Sequence, residues 1–138
     1  MNASKLILAI TIASGLVLVG QEFSEFTAGM KSADRAWDRL RDLQSKTGKQ
    51  AAHQAESIEG VYENMIGFWR QRDSAVAVKS AIEGKAAAAM LASAAYAGDE
   101  AQAQAAFKTL SGTCRSCHNA HREKLPDGKY RLTLNKKK

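Results

Sequence analysis

Proline is almost missing from this chain. Pro126 is the only one in 138 residues, so no pyrrolidine ring blocks helix hydrogen bonding anywhere ahead of it. Runs of β-branched residues, which favour strands, are few. Cysteine is scarce too, with Cys114 and Cys117 the only pair. No βαβ setting surrounds them, which argues against a thioredoxin-like dithiol. No second Cys pair and no H-x3-5-H pair is present, so the four-ligand shell of structural zinc lacks a full donor set. A plain disulfide stays open. No apolar stretch reaches the roughly 20 residues of a membrane span.

What is present is concentrated at Cys114-Arg115-Ser116-Cys117-His118. C-x-x-C-H is the attachment signature of c-type haem. Two thiols add across the porphyrin vinyl groups and the neighbouring imidazole ligates the iron. On a helix, positions i, i+3 and i+4 share a face, so Cys114, Cys117 and His118 can meet one flat ligand. A disulfide or a dithiol gives no reason for His118. The expected cofactor is therefore one covalent haem c, with His118 as proximal axial ligand.

The length suits one compact domain, and 45% hydrophobic residues suffice for a core. Lys5 followed by the uncharged, mostly apolar run Leu6–Val19 has the form of an export signal. Cleavage after Gly20 would place Leu18 where a small residue is preferred, so retention as an N-terminal anchor stays open beside removal. Export fits covalent haem attachment, and places the chain in the periplasm with a soluble mature domain. The net charge is +6. It favours an acidic partner surface, although a solvated basic surface with no particular partner explains it equally. The charge reads as diffuse, with Lys136-Lys137-Lys138 the one dense run, and no nucleic acid partner is expected.

Four helices are predicted. The first covers about Glu22–Ser45, where Phe26, Met30, Ala33, Trp37 and Leu40 form an apolar stripe. The second covers about Gln50–Arg70, with Ile58, Tyr62, Met65 and Trp69 inward and Gly60 and Gly67 as candidate points of close approach. Asp73-Ser74 supplies the cap for a third helix over Ala75–Ala97. Its expected inner face is Val78, Ile82, Ala86, Ala89, Met90 and Ser93. Gly98 ends it, and Asp99 opens a fourth helix to about Leu125. There Phe107, Leu110, Cys114 and Cys117 follow the seam of a bundle. Pro126-Asp127-Gly128 is a turn. The expected organisation is a signal at 1–20, an all-α domain at 21–128 and a basic tail at 129–138. The fold class is an antiparallel up-down-up-down four-helix bundle with haem between its helices.

A C-x-x-C-H on the last of four helices resembles the class II c-type cytochromes, which include cytochrome c′ and its low-spin relatives. The likeness is specific over about 30 residues, from Ala97-Gly98-Asp99 through Ala105–Leu110 and Cys114–His118 to Lys124. It implies thioethers at Cys114 and Cys117, the axial ligand at His118 and a haem-proximal contact from Arg122. Low-spin members place a Met on the first helix, often followed by Lys, and Met30-Lys31 fits that position. The chain departs from the family where Glu25-Phe26-Thr27-Ala28 stands in place of a preceding Arg. A homodimer through the first two helices is common in the family, while the charged outer face of the first helix here leaves the oligomeric state open.

The resemblance implies an electron carrier between redox partners. It also allows a five-coordinate module binding NO or CO at an open iron, if Met30 is packing and not a ligand. An enzyme is not expected, since a peroxidase needs a distal acid–base pair and only His53 is unallocated. His121 is expected beside a haem propionate.

Overall fold

The computed structural model describes the backbone of residues 3–134 and the side chains of residues 22–134. The side chains of the expected export segment and of Lys136–Lys138 lie outside that range. Four helices run in sequence, α1 Ala3–Asp42, α2 Lys49–Arg70, α3 Ala75–Ala97 and α4 Glu100–His121. They form an all-α four-helix bundle. Two short strands follow, β1 Arg122–Lys124 and β2 Tyr130–Leu132. They pair antiparallel, with Arg122 opposite Leu132 and Lys124 opposite Tyr130.

The helix ends follow from local chemistry. The Ser74 hydroxyl accepts from the Ala77 N–H at 3.3 Å and starts α3. The Asp99 carboxylate accepts from the Gln102 N–H at 3.0 Å and starts α4. Between them Gly98 takes φ 72°, the left-handed conformation that closes α3. So short a link forces α3 and α4 into an antiparallel hairpin. The α1–α2 loop is tied from both sides. The buried Lys46 ammonium donates to the carbonyls of Arg41, in the last turn of α1, and of Leu43 just past it. Its backbone N–H donates to the Glu100 carboxylate at 3.1 Å, and the Ser45 hydroxyl donates to the same group.

Helix α1 packs on α2, α2 on α3 and α3 on α4, whereas among the described residues α1 and α4 have no comparable seam. Leu40, Ile58, Trp69, Leu91 and Leu110 are the largest fully buried side chains. The α3 face differs from the expected one. Ala77, Ala81, Gly84, Ala88, Leu91 and Ala95 turn inward, while Ile82 and Met90 are exposed. Small apolar side chains surround this helix on all sides, so periodicity carries little direction. The steric decision falls at Gly84, where an added Cβ would lie 2.4 Å from the Tyr62 ring. Gly60 and Gly67 meet nothing within 4 Å, so neither is a point of close approach.

Helix α4 also ends earlier than expected. Arg122 leaves the helix with φ −120° and ψ 123° and begins the hairpin. Strand pairing joins residues on both sides of the boundary drawn at 128. A latch seats the hairpin on the bundle. His121, 3% exposed, donates from Nδ1 to the Thr133 carbonyl at 2.7 Å. The Thr133 N–H returns a bond to the His121 carbonyl at 2.8 Å. The Ser74 hydroxyl donates to His121 Nε2 at 2.7 Å, and the imidazole lies against Trp69 with centroids 4.2 Å apart. With both nitrogens and one face engaged in the latch, His121 is a structural residue and not a propionate contact.

Candidate cofactor site

The motif residues sit in the last two turns of α4. Cys114, Cys117 and His118 are each half-buried, and both thiols are free. The helical spacing puts them on one side, and burial of Leu110 and Thr113 in the preceding turn fixes which side that is. Among the described residues, no three His, Cys, Asp or Glu side chains converge as a metal site. A closed zinc shell therefore has no geometric support, whereas haem needs one imidazole and two sulfurs.

Two flanking helices hold the motif in place. From α2, the Tyr62 hydroxyl lies 3.1 Å from Thr113 Oγ1 and 3.2 Å from Cys114 Sγ. Thr113 spends its own proton on the Leu110 carbonyl at 2.8 Å, so its oxygen is free to accept from Tyr62. Conversion of Cys114 to a thioether removes the thiol hydrogen but leaves Tyr62 with its Thr113 acceptor. The network would therefore stay satisfied on covalent attachment, as a buried hydroxyl requires. From α3, the Ser80 hydroxyl donates to Ser116 Oγ at 3.2 Å. The spacing of Tyr62 in α2 signalled burial, but nothing in the sequence tied it to Cys114.

Electrostatics suit the same chemistry. Burial raises the Cys114 thiol, with the Tyr62 hydrogen bond opposing it. Burial, and then the neighbouring Cys114, push Cys117 up to about 11. Both are therefore thiols at neutral pH and not thiolates prone to oxidation. Burial also lowers His118, followed by the positive charge of Arg122, with Asp34 pulling the other way. A depressed imidazole is neutral at pH 7, the form that ligates a metal. These residues fit a covalently held haem.

The remaining predicted positions fall as follows. Met30 is half-buried on α1 and packs against the core cluster. It stands one turn before Asp34, whose charge reaches both His118 and Cys114, so this stretch of α1 lies toward the motif. Arg122 stands at the end of α4, with its guanidinium 3.7 Å over the Tyr130 ring. His53 is exposed, 3.0 Å from the Glu56 carboxylate. A groove of about 440 Å³ between α1 and α2, bordered by Phe26, Val61, Met65 and Phe68, touches none of the motif residues.

Residues 64–122 match the family model described as Cytochrome C'. No curated protein and no solved structure matches the chain.

Proposed function

We propose that this chain, whose residues 64–122 match the Cytochrome C' family model, is a haem-binding cytochrome of that family, and more finely a periplasmic monohaem c-type cytochrome that carries electrons between redox partners. The observation that carries this reading is the half-buried trio Cys114, Cys117 and His118 on one side of α4, with no close seam to α1. Cys114 and Cys117 would hold haem as thioethers, and His118 would be its proximal ligand. Bound haem supplies a one-electron ferric/ferrous couple. The chain's own contribution is to bury the imidazole, keep it neutral and fix the first sulfur against Tyr62. Met30 on α1 is the distal ligand in this reading. The protein is a carrier and not an enzyme: His53 pairs with Glu56 on an exposed surface and offers no distal acid–base pair. Export rests on Lys5 and the apolar run after it. Among the described residues, no helix is long and apolar enough to cross a membrane.

A second reading has its own support. Met30 packs against the hydrophobic cluster, as a side chain that fills space beside an open iron would. The protein would then bind NO or CO. Optical spectra of the holoprotein and of Met30→Ala separate the two. The electron-carrier reading expects a sharp low-spin ferrous spectrum and a ferric thioether-to-iron band that Met30→Ala abolishes. High-spin features and ready CO binding by the unaltered protein would establish the second reading instead. A colourless product with the mass of the bare polypeptide would defeat both.

A further inference from the structure

We propose that the carboxy-terminal hairpin is a docking face for an acidic redox protein, which exchanges electrons with the haem beside it. The inference rests on the electron-carrier reading and names the surface that reading needs.

The charge is not diffuse, as composition suggested. Residues 101–138 hold nine Lys and Arg against two Asp and Glu, while residues 1–100 hold eleven against twelve. The whole net charge of +6 therefore resides in the part of the chain that carries the attachment motif. Lys136–Lys138 hold three of these nine cations, and hairpin residues 122–132 hold four against two acids, a local surplus of two. β1 begins at Arg122, one helical turn past His118, and the hairpin presents exposed Arg122, Lys124, Lys129 and Arg131. Its two acids already face cations of the same arm, Glu123 with Arg131 at 2.7 Å and Asp127 with Lys129 at 3.6 Å. Exposed Arg115 adds to the surplus from within the motif itself.

The arm is also preorganised. His121 and Thr133 bond reciprocally, and Ser74 and Trp69 hold the imidazole from the bundle side. A fixed surface loses less entropy on binding than a loose tail. At its centre Tyr130 is 53% exposed and carries the Arg122 guanidinium over its ring. Exposed Tyr and Arg are the residue types that anchor protein interfaces. An anionic bilayer fits less well, because Leu132 and Leu134 pack against the core, leaving few apolar side chains to enter lipid. The family match ends at residue 122, so the arm lies beyond the matched segment.

The test uses ferrous holoprotein in stopped flow with two oxidants of opposite charge, hexacyanoferrate(III) and tris(1,10-phenanthroline)cobalt(III). Lys124→Glu/Lys129→Glu is compared with Arg39→Glu/Lys49→Glu, which makes the same charge change beside the α1–α2 loop at the other end of the bundle. At low salt the hairpin variant should slow the anionic oxidant roughly tenfold and flatten its ionic-strength dependence. The cationic oxidant should not slow, and the distal variant should shift either rate by less than about twofold. Unchanged visible spectra confirm that the variants fold around haem. Equal effects of the two variants would overturn the proposal, since total charge and not the arm would then matter. Unchanged oxidation rates with loss of binding to phosphatidylglycerol vesicles would overturn it in favour of lipid. If neither oxidant withdraws electrons from any form, the carrier reading itself fails.

Discussion

Helix α4 is held quite differently on its two flanks. Toward α3 it packs along a full seam with Ser80 bonded to Ser116, and from α2 the Tyr62 hydroxyl, whose ring sits against Gly84, reaches Thr113 and Cys114. Toward α1 it meets chiefly a large aromatic pair, Trp37 stacked on Phe107 with centroids 4.5 Å apart. Small residues let helix backbones approach closely, whereas a stacked indole and phenyl keep them apart. The same four helices thus give a tight flank that fixes the sulfurs and a looser flank on which a planar group can be accepted. The loose flank belongs to the helix carrying Met30, the distal ligand in the proposed reading.

The contrast can be broken most severely at Gly84. Gly84→Leu drives a side chain into Tyr62 and should cost about 3 kcal/mol of stability. The gain in helix propensity, no more than about 1 kcal/mol, is too small to offset it. Denaturant unfolding measures the loss, and adding Tyr62→Ala should recover part of it, since the two sites share one contact. On the loose flank, Trp37→Ala should cost about 1–2 kcal/mol, of which the stacked ring pair supplies a share. Hydrogen exchange in the apoprotein should accelerate in α1 and stay unchanged in α2 and α3. Equal acceleration everywhere would abolish the distinction between the flanks. The smallest effect concerns the loop that returns α1 to α2. Hydrogen bonds from the Ser45 hydroxyl, the Lys46 N–H and Gln104 hold Glu100 at about 2 against an ordinary 4.5. The unfolded chain therefore takes up the proton first. This stabilisation is complete above about 4.5 and is lost as pH falls toward about 2. Glu100→Gln should remove that component from the urea midpoint in this window and leave the α2–α3 seam untouched.

Much of this organisation was legible in the residues. Second and third helices were placed to within a residue because Asp73-Ser74 and Gly98-Asp99 are strong cap signals, and Ile58, Tyr62, Met65 and Trp69 alternate at helical spacing. The inner face of α3 was not legible beyond its first turns, where Lys79 and Glu83 mark an outside, because Ala on every side leaves no polar stripe after them. The end of α4 was misjudged for a different reason. Arg122, Glu123 and Lys124 are good helix formers, and they are pulled into a strand only by the return of Thr133 to His121, a tertiary contact that outweighs local propensity. The motif points to one side of α4, on which Cys114, Cys117 and His118 lie half-buried. Its supports did not announce themselves: Tyr62 looks like a core aromatic and His121 like a companion to His118. Charge misled in a simpler way, because a single total conceals that residues 101–138 hold nine of the 20 cations and two of the 14 acids.

The latch on the hairpin has a consequence for the order of events during biogenesis. Ser74 emerges first, the sulfurs at 114 and 117 later, then His121, and Thr133 last of the four. The arm therefore cannot lock until Thr133 follows His121 out. A chain delivered in that direction exposes its sulfurs while the strand that fastens the arm is still in transit.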